Sequence, residues 1–312
     1  NGFSRWALKL LDKLIVRIAE GLGNQLFMYA HAYALSKKIN YKLYIDNESA
    51  YFKKKDIKKY ELDYFNISAE NIDDNEKFNN YFLNFKRSLK KKIDFFLPHK
   101  NFLIEKRNKF KQTKFYNYDL DKLSKKVYVE GHFECEKYFE KYKDDLKNEF
   151  NILDSFKYQN NKYYNDILSN NKIVSICVRQ NRYSEREGNY NNKLSVTKSN
   201  KFTHDTIQYI YRAISFCEKK IDNPIFYIWS NDFKNLKEYF NDDKFIFVEN
   251  NYNKSITDFY LLNKCKNFIV GPTSFHWWPA WLNYEKENII IRPKNINPSN
   301  NLDFWPKSWI SV

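Results

Sequence analysis

Glycine, proline, cysteine and methionine are all scarce in this chain: 6 Gly, 7 Pro, 4 Cys and 1 Met among 312 residues. So little Gly and Pro excludes a collagen-like or linker-dominated chain, and any local cluster of glycine answers a need of that spot. Cys135, Cys177, Cys217 and Cys265 stand far apart with no CxxC pair, which argues against a zinc knuckle or a disulfide framework. Three of them lie among apolar neighbours, as buried thiols do, and a reducing compartment fits. No uninterrupted apolar run approaches the roughly 18 residues of a membrane span. The opening stretch NGFSRWALKLLDKLIVRIAEG is broken by Lys9, Asp12 and Lys13 and has no signal-peptide centre. The expectation is a soluble, cytoplasmic protein. A short amphipathic helix over 5–14 offers a possible peripheral contact with the inner membrane face.

What is abundant is positive charge and aromatic surface: 53 Lys and Arg against 38 Asp and Glu, net +15, with 25 Tyr and 27 Phe. Such a balance fits a nucleic-acid or membrane-surface partner. It also fits an AT-rich genome, because the surplus is almost all Lys in a chain rich in Asn, Ile, Tyr and Phe. The basic residues are scattered, with no RNP, KH or helix-turn-helix signature, so no nucleic acid is expected as partner. A non-enzymatic nucleic-acid binder stays as the alternative from another class, marked by a steep loss of affinity with salt.

The length accommodates two domains. Short apolar runs alternate with helical patterns. Strands are expected at 13–19, 41–46 and 126–133, with helices at 23–39 and 135–150. Residues 50–125 show no clear period. A polar stretch at 151–171 suggests a boundary, giving domains 1–155 and 156–312. Beyond it, strands are expected near 173–178, 225–230, 245–248, 267–270 and 288–292, with helices at 203–220, 233–240, 255–265 and 274–283. This alternation predicts parallel, doubly wound α/β sheets, with the ligand outside the carboxyl ends of the strands.

Four strand-to-helix loops carry chemistry. In AEGLGNQLF, Gly21 and Gly23 permit a tight turn and close ligand approach, and Asn24 is placed to cap the following helix. VSICVRQNRYSERE delivers Arg179, Arg182 and Arg186 just past an apolar strand, and guanidiniums match phosphate oxygens bidentately. Glu185 and Glu187 either serve as a general base or pair with those arginines. In WSNDF, Ser230, Asn231 and Asp232 are adequately explained as caps. In VGPTSFHWWPAWLN, Thr273 or Ser274 caps a helix whose N-terminus suits an anion. Trp277, Trp278 and Trp281 fall at helical spacing, as core residues do. Asp258, in TDFYLLNKC, is either a first-turn acid or a hydroxyl acceptor. Two anion-friendly helix starts and an arginine-bearing strand end, without an accompanying metal cluster, suit the diphosphate of a nucleotide sugar.

IAEGLGNQLFMYAHAYAL resembles the N-terminal GGLGNQxFxYA motif of the α-1,2-fucosyltransferase family, glycosyltransferase family 11. EGHFECEKYF, FYIWSNDFKNLKEYF and TDFYLLNKCKNFIVGPTSFHWWPAWLN resemble its later motifs, in family order over about residues 15 to 292. The resemblance implies GT-B architecture, two Rossmann-like domains facing across a cleft, the first on the acceptor side and the second binding donor. It implies an inverting, metal-independent and cofactor-free transfer of L-fucose from GDP-β-L-fucose to the 2-hydroxyl of a galactoside. The acceptor would be a galactose-terminated oligosaccharide or lipid-linked glycan, such as an O-antigen unit of lipopolysaccharide. Another GDP-sugar or linkage would share these features.

By the same resemblance, Arg179 contacts the donor β-phosphate, aided by N–H groups near Thr273 and Ser274. Arg182, Ser230 and Phe275 join the donor site, and Asp258 sits at the nucleoside end. Gly21, Gly23, Asn24 and Gln25 line the cleft from the first domain. Related fucosyltransferases carry H-x-R-R-x-D at the strand end, where this chain has Cys177, Arg179, Gln180 and Arg182. Arg182 is expected to compensate for the missing second arginine, or the donor contacts are rearranged.

Overall fold

The computed structural model describes residues 12–53, 58–157, 159, 161–187, 191–250 and 255–312. Two compact units divide them. The first comprises the described residues of Asn1–Asp63 with Ile67–Glu149, and the second Tyr64–Asn66 with Phe150–Val312. Of the helix expected over 5–14, residues 5–11 lie outside the described residues, and Lys13 and Leu14 belong to a strand.

In the first unit the order is β1 (Lys13–Arg17), α1 (Leu22–Ile39), β2 (Lys42–Asp46), β3 (Glu70–Asn71), α2 (Tyr81–Asp94), β4 (Lys100–Ile104), β5 (Leu123–Glu130) and α3 (Lys143–Glu149). The strands form one sheet in the order β3-β2-β1-β5-β4, every pair parallel. Helix α1 is buried on nearly all sides, its polar Gln25, His31 and Ser36 included, so no single apolar stripe stands out in its sequence. The helix expected at 135–150 is instead two single 3₁₀ turns, Glu136–Tyr138 and Glu140–Tyr142, before α3. The strongly twisted backbone at Phe139 (φ −142°, ψ −1°) separates the two turns.

The second unit runs α4 (Tyr164–Ser169), β6 (Ile173–Val178), α5 (Arg182–Glu187), α6 (Lys193–Glu218), β7 (Ile225–Ser230), α7 (Leu236–Tyr239), β8 (Phe245–Phe247), α8 (Ser255–Leu262), β9 (Asn267–Ile269), α9 (Ser274–Leu282), β10 (Ile290–Arg292) and β11 (Ile310–Ser311). Its sheet has the order β11-β10-β9-β6-β7-β8, again parallel throughout. Six of six residues of β6 are buried, as a central parallel strand covered on both faces requires. Val174, Ile176 and Val178 pack with Ile207 and Ile210 of α6, Phe226 and Ile228 of β7, and Ile269 of β9. The chain lays β7 and β8 on one side of β6, then returns to lay β9 on the other. Strand order therefore reverses between β6 and β9, where open α/β sheets place their ligands.

Candidate active site

At that reversal the backbones touch. A Cβ on Gly271, just past β9, would lie 2.2 Å from the carbonyl oxygen of Cys177 in β6. Only glycine lets the two strand ends approach so closely. The Gly271 N–H donates to Nδ1 of His276 (2.9 Å), so Nδ1 carries no proton and Nε2 does; Nε2 lies 3.2 Å from Ser175 Oγ, which accepts. His276 is fully buried, and burial pushes its pKa down to about 3, which keeps the ring neutral. This histidine pins the loop and was not singled out from the sequence. The available signal was one of five histidines placed inside an apolar tryptophan-rich helix.

Thr273 caps α9, its Oγ1 accepting from the His276 N–H at 3.1 Å. Its own N–H donates to the Gly271 carbonyl at 2.7 Å. Of the N–H groups expected near the donor phosphate, that of Thr273 closes this turn. Ser274 and Phe275 follow, half-buried, with the Phe275 ring edge-on to Phe259 at 5.7 Å. Trp277 and Trp278 are fully buried, as their helical spacing predicts, and Trp277 Nε1 donates to the Phe304 carbonyl at 3.0 Å.

Arg179 leaves the end of β6 with its side chain about a third exposed and pairs through Nη2 with Glu185. Glu185, offered as a general base, is thus the arginine's own counter-ion. The side chain of Glu187, the other base candidate, lies outside the described residues. Arg179 and Asp258 both lie near enough to act on the Cys177 thiol. Burial nevertheless dominates and pushes that thiol up to about 12. Cys177 is therefore a neutral thiol, with none of the charge a histidine could carry at this position. Asp258, in the first turn of α8, accepts from Asn250 Nδ2 at 2.5 Å, and burial raises its carboxyl to about 6.

Two residues expected in the donor site are held by contacts within the second unit, Arg182 first. Its Nη2 donates to the Pro298 carbonyl at 2.6 Å and its guanidinium lies over the Phe202 ring at 5.0 Å. Ser230 is likewise occupied with its own loop, donating to the Asp232 carbonyl (2.5 Å) and accepting from the Asp232 N–H (3.1 Å). Gln180 and Asn231 exchange two hydrogen bonds: the Gln180 N–H donates to Asn231 Oδ1 at 2.9 Å, and Asn231 Nδ2 donates to the Gln180 carbonyl at 3.1 Å. Gln180 Nε2 also donates to the Asp232 and Lys234 carbonyls (2.5 and 3.0 Å). Where related motifs place an arginine, this chain has a brace between the β6 and β7 loops.

In the first unit, α1 begins at Leu22 with Gly21 as its cap, so Asn24 lies within the first turn instead of capping it. Space beside Gly21 is open: an added Cβ would meet nothing within 4 Å. Gly23 is buried. The Leu22 N–H at this helix start donates to the Glu61 carboxylate at 3.2 Å, so the protein's own carboxylate takes a place expected for phosphate. Gln25 is fully buried and does not line an open surface. Its Nε2 donates to the carbonyls of Glu20 (2.9 Å) and Lys59 (2.8 Å), and its Oε1 accepts from the Glu61 N–H at 2.8 Å. Glu20 itself adopts a left-handed backbone, φ 66°.

Two parallel α/β sheets, the second reversing its strand order beside β6, are an α/β architecture of the GT-B type. The chain belongs to glycosyl transferase family 11, whose family model matches residues 13–311. It is 28% identical over 322 residues to an Escherichia coli alpha-1,2-colitosyltransferase, covering 96% of this chain and 98% of that one. It is 24% identical over 307 residues to the O-antigen biosynthesis glycosyltransferase WbnK, also from Escherichia coli (95% and 99% covered). Its fold is similar to that of the alpha-1,6-fucosyltransferase NodZ from Bradyrhizobium, soaked with GDP-fucose. The TM-score is 0.50 at 13% identity, over 87% of this chain and 92% of that one.

Proposed function

We propose that this family-11 glycosyltransferase moves L-fucose from GDP-β-L-fucose to the 2-hydroxyl of a terminal galactoside, with inversion at the anomeric carbon and without a metal. The observation that carries the reading is Arg179, a guanidinium two residues past Cys177, whose carbonyl Gly271 approaches at the strand-order reversal. As the glycosidic bond breaks, negative charge grows on the leaving β-phosphate. A fixed cation there stabilises the transition state more than the ground state. Asp258 takes the nucleoside end of the donor. The acceptor is a galactose-terminated or lipid-linked glycan of the O-antigen kind, recognised by the first unit; the name of WbnK supports the O-antigen part of this reading.

A second donor is favoured by one finding, the relative named as a colitosyltransferase, whose α-1,2 linkage matches the proposed one. The deciding experiment is calorimetric titration of GDP, GDP-fucose, GDP-mannose and UDP with EDTA present, on the unaltered protein and on Arg179→Ala. The expected result is binding of GDP and GDP-fucose, weakened on the order of 10- to 100-fold in the variant, as loss of a charged hydrogen bond implies. Binding of none of the four, or equal binding of UDP, would overturn the donor assignment.

A further inference from the structure

Helix α2 turns its apolar side away from the protein. Toward the core it presents Leu83, packed against the cluster of Ile15, Ile72 and Phe78. Arg87 and Lys91 on the same side reach Glu130 at 2.5 and 2.7 Å. Outward it presents Phe82, Phe85, Leu89 and Ile93, continued by Phe96 in the turn beyond the helix. Phe82 is 73%, Phe85 62% and Phe96 83% exposed. Steps of three and four residues align these side chains in one stripe. A soluble surface helix has the reverse arrangement, and contiguous apolar patches of this kind mark interaction sites.

Charge selects the occupant. Residues 81–111 carry ten Lys and Arg against two acids, Asp94 and Glu105. Both acids are buried and spent on backbone N–H groups: Asp94 accepts from Asn101 and Phe102, Glu105 from His132 and Phe133. Lys86, Lys90 and Lys92 flank the stripe and are exposed. A second copy of the same face would oppose lysine to lysine. A sheet of lipid phosphates would accept every one of them, while the phenylalanines enter the acyl boundary. We propose that the α2 face, Phe82 to Phe96, is a docking surface for an anionic lipid membrane. The inference needs no particular donor or acceptor.

The test is co-sedimentation of the full chain with vesicles of phosphatidylcholine alone and of phosphatidylcholine mixed with phosphatidylglycerol. The protein is expected to pellet with the mixed vesicles and to be released by salt. Phe82→Ser/Phe85→Ser/Phe96→Ser is expected to reduce partitioning at least tenfold. Lys86→Gln/Lys90→Gln/Lys92→Gln is expected to reduce it on the order of a hundredfold, at about fivefold per lysine. Circular dichroism of each variant checks its fold, and the single Phe82→Ser gives the same reading if a triple variant fails to fold. Failure to pellet with the mixed vesicles, or pelleting undiminished in folded variants, would overturn the proposal. So would a concentration-dependent dimer of the unaltered protein that the serine variants abolish, since a second copy would then cover the face.

Discussion

A methyl group on Gly271 would sit 2.2 Å from the carbonyl oxygen of Cys177. The neighbour is backbone at the end of a strand buried along its whole length, so neither side can give way cheaply. Gly271→Ala is therefore expected to push β9 from β6 and cost about 1–3 kcal/mol, the usual range for overpacking a core. It should also weaken GDP binding, because the displaced loop begins α9. Urea unfolding monitored by tryptophan fluorescence reads the first effect and calorimetry the second. An alanine variant as stable as the parent would show that the close approach is not needed.

Glu185 offers a clean separation of roles. If it only neutralises Arg179 in the free protein, Glu185→Gln releases the guanidinium, and GDP should bind as well as before or a few-fold better. The turnover rate should then stay within about threefold of the parent, since a half-exposed ion pair contributes little. Turnover slowed by roughly two orders of magnitude or more, with unchanged GDP affinity, is the mark of a general base. That result would reverse the assignment.

His31 and His276 bind protons in the unfolded chain that the folded chain refuses, since burial lowers both from 6.5 to about 3. Their contribution is fully present above about pH 6.5 and is lost as pH falls toward 3. The slope is up to ~1.4 kcal/mol per pH unit for each. Asp258 works the other way. Its folded carboxyl is raised from 3.8 to about 6, so stability is gained as pH falls through that window. Glu105 and Asp63 are raised by burial in the same sense as Asp258, while Glu76 and Glu130 are lowered and side with the histidines. The two histidines carry the largest of these shifts, and the urea midpoint should fall from pH 7 to pH 5.

His31 also isolates one of these terms. Among the described residues neither of its ring nitrogens has a hydrogen-bond partner, and the ring stacks on Phe133 at a centroid distance of 3.7 Å. His31→Leu removes two orphaned polar atoms, so stability at pH 7 should rise by about 1–3 kcal/mol. The pH slope should flatten at the same time. Unchanged pH dependence in that variant would mean the ring is not the buried neutral group described.

Gln25 ties residues 59–61 to the loop after β1 through three hydrogen bonds. Gln25→Leu keeps the volume and strands the Lys59 carbonyl and the Glu61 N–H, while the Glu20 carbonyl keeps the Tyr51 hydroxyl at 3.2 Å; the cost is roughly 1–3 kcal/mol for each group left buried without a partner. GDP affinity should not change, because the proposed donor residues lie in the other unit. Loss of GDP binding in a folded Gln25→Leu would place this loop in direct contact with donor.

Strands with a strong apolar run were legible in the sequence. The ends of β6 and β7 fall where the pattern placed them, because both lie in the middle of a sheet and are apolar almost throughout. The short helix after β6 was not legible. RYSERE has too few residues and too much charge to show a period, yet Arg182–Glu187 is a helix, held where Ser199 Oγ accepts from the Tyr183 and Ser184 N–H groups. The first ten residues of α6 were missed for a related reason, being mostly polar and exposed on one side. At the candidate site, the place of Arg179 could be read from its distance past a strand. The commitment of Arg182 to Pro298 could not, because that partner is 116 positions away.

The place of β6 in its sheet also orders events in time. On the ribosome, β6, β7 and β8 are complete before Asn267 has been made, so the flank of β6 that will receive β9 waits unpaired. An apolar strand with one open edge is a template for the wrong partner. The Gln180–Asn231 brace draws only on residues already synthesised by then, so the arginine-bearing loop can settle before the strand that completes its surroundings arrives. Substitutions at Asn231 should therefore emerge first as aggregation during synthesis, and only afterwards as lost affinity in the protein that survives.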